Sequence, residues 1–123
     1  MTTVYTVADI VAVHSSTLAG STPPVESYDR VSPGWQESEH RVEMGAPAVE
    51  GGYWVGEPGS VAFDSWPYNE LCVILSGRVA VEDSTGVRLE WGAGESFQIP
   101  QGFSGVWHTL EPTEKVFVGV TSA

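Results

Sequence analysis

From residue 39 onward, apolar and polar positions alternate in short runs, each stopped by glycine, proline, asparagine or aspartate. The runs span 39–44, 52–55, 60–66, 70–75, 78–82, 87–90, 96–99, 105–110 and 115–120. A period of two marks a strand with one face buried. The breaks at 45–47, 57–59, 67–69, 76–77, 83–86, 92–94, 100–102 and 111–113 carry the residues that turns require. Many short strands with regular turns and no helical spacer predict an all-β sandwich or barrel. Fourteen glycines suit tight barrel corners.

The first 38 residues read differently. A short helical turn is expected near 7–13, with Thr6 as its cap, although β-branched residues weaken it. Residues 15–35 are rich in Ser, Thr, Pro and Gly, including Pro23-Pro24 and Pro33-Gly34, and read as an extended arm. Trp35 is placed to anchor that arm on the barrel. The expected organisation is an N-terminal arm over 1–38 and a β-barrel over 39–123, within a single domain.

Sixteen acids against five bases give a formal net charge of −11. Charge of this sign excludes binding to nucleic acid phosphates or an anionic membrane surface. It suits a soluble protein and a cationic or amine-bearing ligand. No apolar run reaches the length of a membrane span. The opening residues lack the basic start and apolar stretch of a signal peptide, so the expected location is cytoplasmic. Cys72 is the only cysteine, which rules out an intrachain disulfide. Thirteen aromatics, five of them tryptophan, supply both core and pocket lining.

Several turn residues fall at spacings that carry more information. Glu70 and Gly77 bracket one strand and its turn, and Gly94, Pro100 and Gly102 bracket another. With Gly52-x-Trp54, Pro58-Gly59, Gly105-x-Trp107 and the run from Glu114 to Phe117, this skeleton resembles the two cupin motifs. In detail it resembles the small cupins of the ureidoglycolate hydrolase, ureidoglycine aminohydrolase and ethanolamine-utilisation group, over roughly residues 50–120. The resemblance implies a double-stranded β-helix, or jelly roll, and a homodimer. The usual first motif is His-x-His followed by Glu. Here Asp64 and Trp66 stand where those histidines belong, Gly105 stands at the histidine of the second motif, and Glu70 alone is kept.

Alternation points Glu70, Cys72 and Ile74 to one face. A turn at 67–69 is expected to bring Asp64 and Trp66 beside Glu70, and Trp107 shares the parity of Gly105. The expected pocket therefore holds Glu70 as general acid/base with its pKa raised, assisted by Asp64 or Tyr68. Trp66, Trp107, Trp54 and Cys72 line it, and His40 caps it from the arm side. No cofactor is expected. If a divalent metal binds, Asp64, Glu70 and Cys72 are its candidate ligands, a poor set for Zn²⁺ or Fe²⁺; the related aminohydrolases place a carboxylate near Asp64. His108 is expected on the face opposite Trp107, and His14 carries no reading. Arg41, Arg78, Arg88 and Lys115 are read as ion-pair or structural residues.

The leading expectation is a small-molecule enzyme with metal-independent acid/base chemistry: isomerase, cyclase, lyase or hydrolase. The alternatives are a non-catalytic ligand-binding or sensing cupin, and an aminohydrolase-like cupin with an altered metal site.

Overall fold

A computed structural model describes residues 3–122, so residues 1, 2 and 123, at the outer ends of the two expected spans, lie outside it. The alternating runs become strands that sort their side chains by parity. The strands are β1 (Arg30–Val31), β2 (Glu37–Arg41), β3 (Val49–Gly56), β4 (Gly59–Phe63), β5 (Asn69–Ser76), β6 (Arg78–Asp83), β7 (Arg88–Gly92), β8 (Ser96–Ile99), β9 (Gly105–Thr109) and β10 (Thr113–Val120). They form two five-stranded antiparallel sheets, ordered β1-β4-β9-β6-β7 and β2-β3-β10-β5-β8. The fold is the expected all-β one. Each of the nine expected runs overlaps a strand, and β1, at two residues, is too short to leave a pattern. No helix among the described residues is long and apolar enough to cross a membrane.

The two inner faces meet in a core built from Trp54, Val61, Trp66, Cys72, Ile74, Val79, Val81, Ile99, Trp107 and Phe117. Ile74 and Val79 are fully buried, and each contributes about 1.5–3 kcal/mol by leaving water. Gly77 turns the chain between β5 and β6 at φ +89°, and a Cβ there would meet the Pro112 carbonyl oxygen at 2.3 Å. Only glycine satisfies both demands.

The N-terminal segment lies against both sheets. Thr6 caps a single 3₁₀ turn, Val7–Asp9, shorter than the expected 7–13. Its Oγ1 accepts from the Ala8 amide while Asp9 accepts from the Thr6 amide. His14 rests on Tyr53 with ring centroids 4.7 Å apart. Ser21 then bridges Glu39, a second 3₁₀ turn forms at Val25–Ser27, and β1 adds an edge to β4. Trp35 packs against Trp54 at 6.3 Å between centroids. The same segment that pairs with the sheets thus brings Pro23, Pro24 and Tyr28 over the opening between them.

Candidate functional site

That opening leads into a cavity of about 540 Å³, a size that suits a small molecule. Parity decides what faces it. In β5 Glu70 points in, in β3 Trp54, in β9 Trp107, and in β10 Lys115 and Phe117. Trp54 and Lys115 are direct cross-strand partners. On the edge strand β2 the inward residues are Glu37, Glu39 and Arg41.

At the floor, Glu70 and Lys115 form a buried ion pair, with Nζ to Oε2 at 2.8 Å and side chains 7% and 6% exposed for Lys115 and Glu70. The Trp66 indole N–H donates to Glu70 Oε1 at 3.0 Å, and the Cys72 thiol donates to Oε2 at 3.1 Å. Burial pushes the Glu70 carboxyl upward, but the Lys115 charge and these hydrogen bonds outweigh it and hold the group below its ordinary value. Burial likewise opposes the Lys115 charge, yet its attraction to acidic neighbours raises its pKa. Burial also pushes the Cys72 thiol well up, so it stays neutral and the carboxylate is the effective partner of Lys115. Nζ lies 4.1 Å from the Trp107 ring centroid and 5.0 Å from that of Trp54, so one cation is shared between a carboxylate and two indole faces.

Nearer the mouth, Arg41 pairs with Glu39 at 2.9 Å and Glu50 at 3.0 Å. Its partial burial is outweighed by both carboxylates, which raise its pKa further. Glu37 has a different environment. It accepts from the Tyr28 hydroxyl at 2.5 Å, the Trp35 indole at 2.6 Å and the Trp54 indole at 2.8 Å. The charges therefore alternate along one wall as Glu70, Lys115, Glu39, Arg41 and Glu50, and Glu37 sits apart in an aromatic setting.

Residues 46–117 match the EutQ-like cupin domain. The chain belongs to the EutQ-like cupin domain family. Solved structures of similar cupins include the putative ethanolamine utilisation protein EutQ of Salmonella typhimurium LT2, with 18% identity, TM-score 0.62 and coverage of 71% of each chain. EutQ of Clostridium difficile gives 14% identity and TM-score 0.65, covering 74% of this chain and 66% of that one. A Rhizobium leguminosarum protein of unknown function gives 22% identity and TM-score 0.62, covering 74% and 86%. These likenesses speak to the fold. No match was found among curated proteins.

Within this cupin the expected pocket residues divide. Glu70, Tyr68, Trp54, Trp66 and Trp107 meet in one cavity. The Tyr68 ring lies over Gly119, and burial, followed by the charges of Glu70, Glu50 and Glu39, pushes its phenol upward, so it stays protonated.

Three placements are corrected. Asp64 is outside the cavity, with its side chain 74% exposed and 3.7 Å from Arg30. β4 ends at Phe63 and a bend follows. Trp66 then bonds through its backbone to Phe103 and Gly102, so it turns inward while Asp64 stays out. His40 is on the outward face of β2, where its ring meets Ser38 and the Leu18 carbonyl at 3.1 and 3.0 Å. Cys72 lies behind Glu70 and does not line the cavity. The expected rise in the Glu70 pKa is also reversed, because Lys115 faces it.

Lys115, Glu37, Glu39 and Arg41 also line the cavity, although the sequence pattern does not mark them for it. The outward parity of His108 does hold: its ring joins Ser60 at 2.7 Å and Glu82 at 2.9 Å.

The donor set expected for a metal does not converge. Asp64 faces solvent, the Cys72 thiol is protonated and donating, and the Glu70 oxygens are taken by Trp66, Cys72 and Lys115. No cluster of three or more His, Cys, Asp or Glu suited to a metal occurs among the described residues. A divalent ion at Glu70 would also stand against the Lys115 ammonium, so these residues do not fit one.

Proposed function

We propose that the chain is a small-molecule enzyme whose cavity runs proton-transfer chemistry on the Lys115–Glu70 pair. The observation that carries this is a 2.8 Å ion pair at the floor of an aromatic cavity, with both partners facing the space a ligand would fill. Cores rarely keep such pairs for stability, because desolvation offsets much of the attraction.

Glu70 is a carboxylate, so it takes a proton rather than giving one. Lys115 is an ammonium, so it is no amine nucleophile. Its role is to hold an oxygen on which negative charge develops. A carbonyl oxygen of the substrate docks on Nζ. Glu70 removes a proton from the neighbouring carbon, the electron pair of that C–H bond moves toward the carbonyl, and the oxyanion stays beside Lys115. The proton returns at another position in an isomerisation. In a lyase, the electron pair instead expels a β-leaving group. As the substrate oxygen draws Nζ away, Glu70 loses part of its stabilisation and becomes more basic when a base is needed. The neutral Tyr68 hydroxyl is available to orient the ligand. The indoles of Trp66 and Trp107 keep water from the reacting atoms.

The test is incubation of purified protein with a pooled metabolite extract, followed by mass spectrometry, for wild type and Glu70→Gln. Consumption of a metabolite by wild type, with a loss of at least a hundredfold in the variant, is the expected result. A metabolite retained by the protein but unchanged would instead establish a binding barrel. Equal turnover by Glu70→Gln would remove the carboxylate from the mechanism.

A further inference from the structure

We infer that the mouth of the cavity, around Glu37, is a binding subsite for an organic cation, a primary or quaternary ammonium group. This rests on the cavity being the working site, and it names what kind of molecule enters.

Four glutamates and two cations line the cavity. Lys115 is claimed by Glu70, and Arg41 by Glu39 and Glu50. Among the described residues, no Lys, Arg or His lies within ion-pair distance of Glu37. Its three partners are neutral. They fix the carboxylate in place without cancelling its charge. They are also unevenly divided, two on Oε2 and one on Oε1, which leaves Oε1 able to accept again.

Geometry agrees with charge. Tyr28, Trp35 and Trp54 turn their donor edges to Glu37, with adjacent ring centroids 6.4 and 6.3 Å apart. All three rings line the cavity. Lys115 already occupies a face of Trp54, so Tyr28 and Trp35 are the rings of the rim that no cation among the described residues engages. An ammonium bonding to the remaining lone pair of Oε1 is attracted by the carboxylate and by the aromatic rings that line the cavity beside it. An anion would fare badly there. It would meet Glu37 and Glu39, and the adjoining wall holds Pro23 and Pro24, which have no N–H to offer. The net charge of −11 also draws cations toward the protein from a distance.

The probe is tetramethylammonium chloride, titrated at constant ionic strength against sodium chloride and followed by tryptophan fluorescence, with tert-butanol as a neutral body of similar shape. Saturable quenching by tetramethylammonium, and none by sodium or tert-butanol, is expected. Glu37→Gln should weaken binding at least tenfold, Trp35→Leu at least threefold, and Tyr28→Phe, which keeps its ring, less than either. If Glu37→Gln does not fold, Trp35→Leu still decides the matter. Equal response to tert-butanol, or wild-type affinity in Trp35→Leu or in a folded Glu37→Gln, would overturn the subsite. Absence of tetramethylammonium binding sinks the subsite but leaves the Glu70 turnover assay standing. A failed turnover assay with intact cation binding sinks only the chemistry.

Discussion

Replacing Lys115 with methionine removes one charge and keeps most of the stem. Glu70 is then left buried, with a side chain 6% exposed and its partner at 2.8 Å gone. Breaking such a pair from one side costs about 3–5 kcal/mol, a large part of the ~5–15 kcal/mol that holds a domain folded. The pH dependence provides the sharper check. In wild type, the folded Glu70 pKa is held below its ordinary value. Its contribution is present above the unfolded pKa of about 4.3 and is lost as pH falls through the lower folded value. Lys115 has its folded pKa raised, so its contribution is present below about 10.4 and lost as pH rises through the folded value. In Lys115→Met the Trp66 and Cys72 hydrogen bonds remain, but burial, the largest influence on Glu70, loses its charged opponent, and the folded pKa moves above its ordinary value. The variant should regain stability as pH falls through that new value, over a range where wild type is flat or weakening. Urea unfolding followed by tryptophan fluorescence between pH 4.5 and 9 reads this directly. Glu70→Gln combined with Lys115→Met should recover most of the loss, since it removes both charges. A Lys115→Met cost under about 1 kcal/mol at pH 7, or a stability that falls on acidification in parallel with wild type, would refute a buried Glu70 that depends on Lys115.

Asp64→Asn should change stability by less than about 0.5 kcal/mol in the same urea assay and leave any turnover intact, since its pairing with Arg30 is exposed. Gly77→Ala should cost more than about 2 kcal/mol, through its positive φ and the close Pro112 carbonyl; a midpoint shift near zero would mean the turn relaxes freely. The Cys72 thiol, buried and with its pKa raised, should resist iodoacetamide in the native protein and react at the rate of unfolding, as mass spectrometry can follow. Tyr28→Phe should cost about 1–2 kcal/mol by removing a donor to a carboxylate, with amide exchange quickening around residues 21–31 if Tyr28 fastens that segment.

The sequence announced its strands because turn residues punctuate them and one face of each is buried. Glu70, Trp66 and Trp107 were legible for the same reason, together with the spacing of the turn glycines around them. Asp64 is placed inward by the motif spacing and by its assumed shared face with Trp66; Val61 and Phe63 face the cavity, so alternation leaves Asp64 outside, and the bend after Phe63 is what turns Trp66 inward. Lys115 does not read as a cavity residue because the residues after it are apolar on both faces of β10: Val116, Val118 and Val120 on one, Phe117 and Gly119 on the other. Nothing local says which face is inside, so the ion-pair reading of Lys115 names neither its partner nor its place in the cavity. Its position opposite Trp54 depends on strand order, which no single strand records. β2 is polar at all five positions, so Glu37, Glu39 and Arg41 carry no hydrophobic contrast from which a face could be assigned.

The place of β10 in its sheet has a consequence for how the chain is made. β3 and β5 do not pair with each other, and each pairs with β10, which lies between them. Until β10 exists, that sheet is two separate fragments. Glu70 leaves the ribosome 45 residues ahead of Lys115. During that interval it is a carboxylate with no cation to receive it, and burying it early would be costly. Collapse around the site is therefore delayed until β10 inserts, and closing the sheet and neutralising the floor of the cavity become one event. A nascent chain stalled before residue 113 should remain protease-sensitive along β5, and a chain carrying β10 should not.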